Sequence, residues 1–212
     1  MITIKTFIFS PFQENTYLVY DETNEAVIID PGCYNDTEKQ ILKQYIEAHE
    51  LQVKRLLNTH LHIDHQFGNH FVAETYNLLP EVCKEDEFLL ERIESQYQMF
   101  GLQMEGIAQK LGEYIVDNQP ISFGNSEFIA LHVPGHSPGS MAFYSKNDAV
   151  VFAGDVLFQG SIGRTDLPKG DYGQLISSIQ NKLLPLPDST VVYSGHGPST
   201  TIGYEKLNNP YL

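Results

Sequence analysis

The stretch VKRLLNTHLHIDH, Val53 to His65, changes character halfway along. Val53, Leu56 and Leu57 read as a short apolar strand that ends at His60. From there the chain presents His60, His62, Asp64 and His65, an H-x-H-x-D-H cluster of four donors in six residues. The neutral imidazole nitrogen is the commonest protein metal ligand. A single histidine here would read as decoration of a polar turn, but four donors at this spacing read as a metal site. On extended backbone His60 and His62 point the same way, by the period of two, so they can share one ion. Asp64 and His65 lie where the chain turns into a helix expected to begin near Gln66. A site of this kind needs further ligands, and the rest of the chain must supply them.

Upstream, NTYLVYDETNEAVIIDPG reads as two strands around a polar turn. A helix follows from about Asp36 to Glu50, with Ile41, Leu42, Tyr45 and Ile46 at helical spacing and Asn35 and Glu38 offering a capping box. The second half repeats this order. GSMAFYSKNDAVVFAGD is another strand pair and ends at Asp155. A helix is expected over about Tyr172 to Leu184, and STVVYSGH is a strand ending at His196. The chain therefore divides into two halves, roughly 1–80 and 118–212, each ordered strand, strand, helix, strand. Two such halves would pack sheet against sheet with helices outside, placing both histidine-bearing strand ends at one seam. Between them, 81–117 reads as a strand (EVCK) and two helical segments (DEFLLERIESQYQMF and GIAQKLGEYI), serving as cover or as a lid.

Three more donors close strands in the second half. His136 lies in VPGHSPGS, Asp155 ends AVVFAGD, and His196 sits between two glycines in YSGHGP. Each is flanked by glycine, which lets backbone and ligand approach closely. With the first cluster this makes seven donors, more than the three that one catalytic ion takes while keeping a position open. Two divalent ions are therefore expected. His60, His62 and His136 would hold one, Asp64, His65 and His196 the other, and Asp155 would bridge them through its two oxygens. Zinc is the expected metal, with iron or manganese as alternatives. Asp30, in IIDPG, could hydrogen-bond a ligand imidazole and fix its tautomer, or cap a turn. His49, His70 and His132 are read as structural or supporting rather than ligating.

The whole composition restricts partners. The net charge is −14, from 13 Lys and Arg against 27 Asp and Glu, and the cations never cluster beyond Lys54-Arg55. Binding to nucleic acid needs basic patches that release counterions, so that class is excluded, as is an anionic membrane surface. No apolar run reaches bilayer length, and MITIKTFIF reads as a strand rather than an export signal. Two cysteines, Cys33 and Cys83, are too few for a disulfide framework and are expected to be reduced thiols in the cytoplasm. A small molecule is the expected partner.

The segments THLHIDH, PGHSPGS, AGD and SGHG, in this order, resemble the metallo-β-lactamase fold superfamily. QENTYLV, IDPG and GDVLFQGSIGRTDLPKGD narrow the resemblance to its glyoxalase-II-like (hydroxyacylglutathione hydrolase) group, over nearly the whole chain. The resemblance implies an α+β fold, an αββα four-layer sandwich, as a single domain over 1–212 with a dinuclear centre on the seven residues named above. It also implies hydrolysis of a small anionic thioester by a metal-bridging hydroxide, with Asp64 both binding metal and orienting that nucleophile. Arg164 stands where long members place a basic residue against the thiol carrier, although pairing with Asp166 or Asp171 is an equal alternative. The chain's end at Leu212 resembles the short branch, without the helical domain that helps hold glutathione. Gly197-Pro198-Ser199 replace a tyrosine that contacts glutathione in long members, which leaves the thiol carrier open.

Superfamily neighbours differ at particular positions. The commonest β-lactamase subclass has Cys where Asp155 stands, flavodiiron proteins have Glu at His62, and the nucleases would be expected to carry basic surfaces. The persulfide dioxygenases are the nearest alternative and hold one iron on the equivalents of His60, His136 and Asp155. They tend to carry Cys and Phe where this chain has Ile162 and Leu167. A lactonase and a non-catalytic metal-binding module are more distant alternatives.

Overall fold

Successive strand residues face opposite sides of a sheet, and here both sides are apolar. In the computed structural model, which describes residues 1–103 and 110–212, this pattern builds four layers. The first sheet has the order β1 (Thr3–Phe9), β2 (Glu14–Tyr20), β3 (Glu25–Ile29), β4 (Gln52–Leu57) and β5 (Pro80–Glu81). The second comprises β6 (Pro120–Phe123), β7 (Ser126–His132), β8 (Met141–Ser145), β9 (Val150–Gly154), β12 (Val191–Ser194) and β13 (Thr200–Thr201). Its order is β13-β12-β9-β8-β7-β6. A two-stranded hairpin, β10 (Leu157–Phe158) with β11 (Ser161–Ile162), leaves the end of β9.

Val19, Val27, Ile29 and Leu57 face inward and pack against Phe128, Ala130, Phe143 and Phe152 of the opposite sheet. Their neighbours Leu18, Ala26, Ile28 and Leu56 face outward onto Leu42 and Ile46 of α1 (Asp36–Ala48). On the far side, Leu131, Ala142, Val151 and Val192 face Leu175, Ile179 and Leu183. Those three come from α4 (Tyr172–Ser178) and the π-helical turn Ile179–Leu183 that continues it. Strands covered on both faces explain why AVII and AVVFA are unbroken apolar runs rather than alternating ones.

The two halves share a pairing scheme. β2 pairs antiparallel with β3, which pairs parallel with β4 after the α1 crossover. Likewise β8 pairs antiparallel with β9, which pairs parallel with β12 after the α4 crossover. Parallel pairing sends the carboxyl ends of paired strands to the same edge of a sheet. The capping box at Asn35 forms as the sequence predicts, and the Glu38 carboxylate also accepts from Ser10 N at 2.9 Å and Tyr34 N at 2.7 Å. Asp171 caps α4 by accepting from Gln174 N at 2.8 Å.

Four local expectations are corrected. β4 stops at Leu57 rather than His60, because the Thr59 and Leu61 amides turn to the side chains of Asp30 and Asp86. The helix expected near Gln66 is α2 (Asn69–Tyr76), preceded by a 3₁₀ turn over Ile63–His65. In the covering segment, among the described residues, Pro80–Glu81 is the stretch that pairs as a strand, followed by 3₁₀ turns over Lys84–Arg92 and α3 (Ile93–Met99). Of the expected GIAQKLGEYI helix, residues 106–109 lie outside the described residues. Residues 110–115 run non-helically, with Gly112 N bonding Pro80 O at 2.8 Å and Ile115 N bonding Val82 O at 2.8 Å. Leu89 packs with Leu61 and Val82, and Tyr97 with Ile63 and Phe67, so the cover sits on the His60–Phe67 loop. Among the described residues no helix is long and apolar enough to cross a membrane.

Candidate metal centre

Beyond β4 the chain is wound around one buried carboxylate. Asp30 follows β3 with φ +48°, an unusual conformation for a residue bearing a Cβ. Its oxygens accept from Thr59 N at 2.7 Å, Thr59 Oγ1 at 2.5 Å and His65 Nδ1 at 3.0 Å. Asn58 Nδ2 donates to His65 O at 2.7 Å, and Thr59 O takes the Met141 amide at 2.7 Å from the second sheet. These bonds fold Asn58 to His65 into a compact turn whose imidazoles converge. Asp30 therefore takes the first of its two expected roles, fixing a histidine.

All seven sequence-predicted donors meet at this seam. His62 Nδ1 lies 2.8 Å from His136 Nε2, which is 3.3 Å from His60 Nε2. Ligands on a tetrahedral ion with bonds of about 2 Å sit roughly 3.3 Å apart, so this spacing suits one ion. Asp64, His65 and His196 form a second group, with His196 Nε2 3.2 Å and His65 Nε2 3.9 Å from Asp64 Oδ2. Asp155 lies between the groups. Its Oδ1 is 3.4 Å from His65 Nε2, and its Oδ2 is 3.7 Å from His136 Nε2 and 3.6 Å from His196 Nε2. One carboxylate thus faces both sets. His49, at the end of α1, His70, in α2, and His132, at the end of β7, lie outside these groups.

Hydrogen bonds on the far ring nitrogens aim the near ones. His136 Nδ1 donates to Arg164 O at 2.8 Å and His65 Nδ1 to Asp30, while His196 Nδ1 faces Gln13 O at 3.3 Å. The Thr59 hydroxyl gives its proton to Asp30, so His60 Nδ1, 3.0 Å away, donates to that oxygen. Neutral His60 and His136 then point two Nε2 lone pairs at each other. His65 Nε2 and Asp155 Oδ1 are buried with no hydrogen-bond partner. Acceptors facing acceptors in a buried cluster fit a cation, and the all-nitrogen and oxygen donor set suits a divalent transition ion.

The two groups differ electrostatically. Burial, then the neighbouring imidazoles, holds His60 well below the ordinary histidine range and His62 down to about 3. Burial also lowers His136 despite Asp155. In the second group burial is overridden. Asp155 and Asp64 raise His65, and the Asp64 hydrogen bond followed by Asp155 raises His196. Both carboxyls are lowered in turn, against burial, chiefly by His65. These opposite shifts all arise from the same close packing of imidazoles and carboxylates, and metal binding, which needs deprotonated ligands, would favour the neutral imidazoles.

One supporting residue was invisible in the sequence. Asp86, in the covering segment, is fully buried and accepts from Leu61 N at 3.1 Å, Ser137 Oγ at 2.8 Å and Gly139 N at 2.6 Å. It ties the residue between His60 and His62 to the loop that carries His136. Nothing in KEDEF marks this aspartate over its acidic neighbours, which read as helix-start charges.

The metal end opens into a cavity of about 360 Å³. Phe12, Ile63, Leu89, Met99, Phe100 and Leu167 make its apolar walls, with Arg92 and Arg164 among its polar ones. Lys169 lies 3.6 Å over the Phe88 ring, joining the 163–171 loop to the cover. Arg164 lines the cavity, while its guanidinium forms two 2.7 Å bonds to Asp166. Of its two expected partners for an ion pair, Asp166 is the one it takes.

Known proteins resemble this chain in sequence and fold. The family profile of the metallo-beta-lactamase superfamily matches residues 9–196. The hydroxyacylglutathione hydrolase GloC of Haemophilus influenzae is 43% identical over 206 residues, covering 95% of this chain and 93% of that protein. The crystal structure of the BLEG-1 B3 metallo-beta-lactamase superposes with a TM-score of 0.89 at 38% identity, covering 99% of each chain. That of TTHA1623 in a di-iron-bound form gives 0.86 at 38% identity, covering 98% of this chain and 100% of that one. With a profile match spanning every predicted ligand, the chain belongs to the metallo-β-lactamase superfamily, as a metallo-hydrolase in the glyoxalase-II-like group.

Proposed function

We propose that this protein hydrolyses a small anionic thioester of the hydroxyacylglutathione kind, using two divalent ions, with zinc as the metal. The observation that carries the reading is the joining of two donor triads by Asp155, beside a cavity of small-molecule size. The relative GloC, named a hydroxyacylglutathione hydrolase, supports the substrate class.

Two ions held there would supply a Lewis acid for the carbonyl and a water acidified toward neutral pH. The chain's own residues do the rest. His60, His62 and His136 are kept neutral by burial and so present lone pairs at physiological pH. Asp64, ionised and 3.2 Å from His196 Nε2, faces the cavity, where its carboxylate can accept the nucleophile's proton-bearing side and orient it. The departing thiolate has a pKa near about 8.5 and leaves without a strong general acid, so Ser-His-Asp machinery is unnecessary. Arg164 offers positive charge at the cavity wall, shared with Asp166. Both cysteines are free and buried, which suits a reducing cytoplasm.

A mononuclear iron dioxygenase on His60, His136 and Asp155 is the competing use of the same residues. The test is to load the protein with zinc and assay lactoylglutathione under nitrogen. Thioester cleavage without oxygen is expected. Oxygen uptake with glutathione persulfide in the iron form, with no anaerobic thioester cleavage, would overturn the reading.

A further inference from the structure

Two arginines line the cavity, and their circumstances differ. Arg164 is committed, with Nε and Nη2 each 2.7 Å from an Asp166 oxygen. Arg92 stands at the junction between the 3₁₀ turns and α3, exposed, and its guanidinium makes no ion pair or hydrogen bond among the described residues. That is notable in a chain with 27 acidic side chains, two of which, Glu91 and Glu94, are its near neighbours in sequence. Its backbone is fixed instead. Arg92 O accepts from Ser95 Oγ at 2.8 Å, and α3 is anchored through buried Tyr97 against Ile63 and Phe67, beside the metal ligands. A guanidinium without a partner among the described residues, lining the same cavity as the donor cluster, suits a carboxylate.

We propose that Arg92 binds a carboxylate on the thiol portion of the substrate, so that the cavity selects acidic thioesters over neutral ones. The assignment rests on the thioester reading above and deepens it. Substrate would lie with its reacting carbonyl toward Asp155 and its methylenes along Leu89, Met99 and Phe100, which share the covering segment with Arg92. Ion pairing with Asp166 leaves Arg164 the smaller part in selecting charge.

Equilibrium binding separates this assignment from catalysis. S-propylglutathione, an uncleavable thioether, and its diethyl ester would be titrated calorimetrically into metal-loaded wild type, Arg92→Ala, Arg92→Lys and Arg164→Ala. Wild type should prefer the acid. Arg92→Ala should weaken acid binding about tenfold and leave the ester unchanged, the worth of one exposed charge-assisted pair. Arg92→Lys should keep part of the preference, and Arg164→Ala should lose less than Arg92→Ala. The melting temperature of Arg92→Ala should match wild type, since the side chain is exposed. No preference for the acid in wild type, equal loss on both ligands, or a preference removed by Arg164→Ala but kept by Arg92→Ala would each overturn the proposal. Selection through Arg92 in a protein that cleaves no thioester would keep this assignment and remove the hydrolase reading instead.

Discussion

Replacing Asp86 with alanine tests whether the covering segment holds the metal ligands in place. The side chain satisfies the amides of Leu61 and Gly139 and the hydroxyl of Ser137. The hydroxyl can turn to Ser140 Oγ, 2.8 Å away, so only the two amides are stranded. Each stranded buried amide costs about 1–3 kcal/mol. Burial already pushes the Asp86 carboxyl pKa up, so removing it relieves some desolvation, and we take a net loss of about 3 kcal/mol. For a chain of this size that lowers Tm by about 6–12 °C. Because Leu61 separates two ligands and Gly139 follows a third, metal affinity should also fall, by about 10–100-fold. Urea unfolding of the metal-loaded protein and competition with a chromophoric chelator read the two effects. Asp86→Asn keeps one acceptor but turns an amide N–H toward one of the donors, and it should fall between. An Asp86→Ala protein within about 1 kcal/mol of wild type, with unchanged metal affinity, would refute the reasoning.

Two further substitutions probe other joints of the structure. At Gly135, φ is +138° and an added Cβ would lie 2.3 Å from the Leu175 backbone. Gly135→Ala should therefore cost about 3–5 kcal/mol in chemical unfolding and displace the adjacent His136. Asp21 joins the β2–β3 and β6–β7 turns, and its carboxyl pKa is lowered. Burial opposes ionisation there, but bonds from Thr23, Ser126 and Asn125 outweigh it. A lowered folded pKa adds stability above the unfolded value of about 3.9 and loses it as pH falls through the folded one. Asp21→Asn should accordingly lower urea midpoints at pH 7 and flatten their decline below about pH 4. An unchanged acid slope would contradict that account.

The convergent donor cluster was readable because its members combine a rare residue type with a fixed place at strand ends. His60, His62, Asp64 and His65 are adjacent in sequence, and His136, Asp155 and His196 each follow an apolar strand beside a glycine. The layers were readable for a similar reason, since runs such as Val27-Ile28-Ile29 are apolar on both faces and require cover on both. What escaped depends on contacts between distant residues. Asp86 acts on Leu61 and Gly139, 25 and 53 positions away, so no local spacing reveals it. β4 ends early because Asp30, 29 residues upstream, captures the Thr59 amide. Residues 110–115 have helical composition, yet Gly112 and Ile115 find backbone acceptors beside β5 instead. Arg164 pairs with Asp166, whereas Arg92 has no such pair among the described residues, a difference that no sequence spacing marks.

Metal content of the purified chain, with and without Asp155, bears most directly on the central claim. Seven donors in two groups joined by one carboxylate predict about two divalent ions per wild-type chain. Asp155 faces both groups, so Asp155→Ala should weaken both positions together and fall well below two ions at the same free metal concentration. A wild-type protein that saturates at one ion, with Asp155→Ala retaining it, would contradict the account.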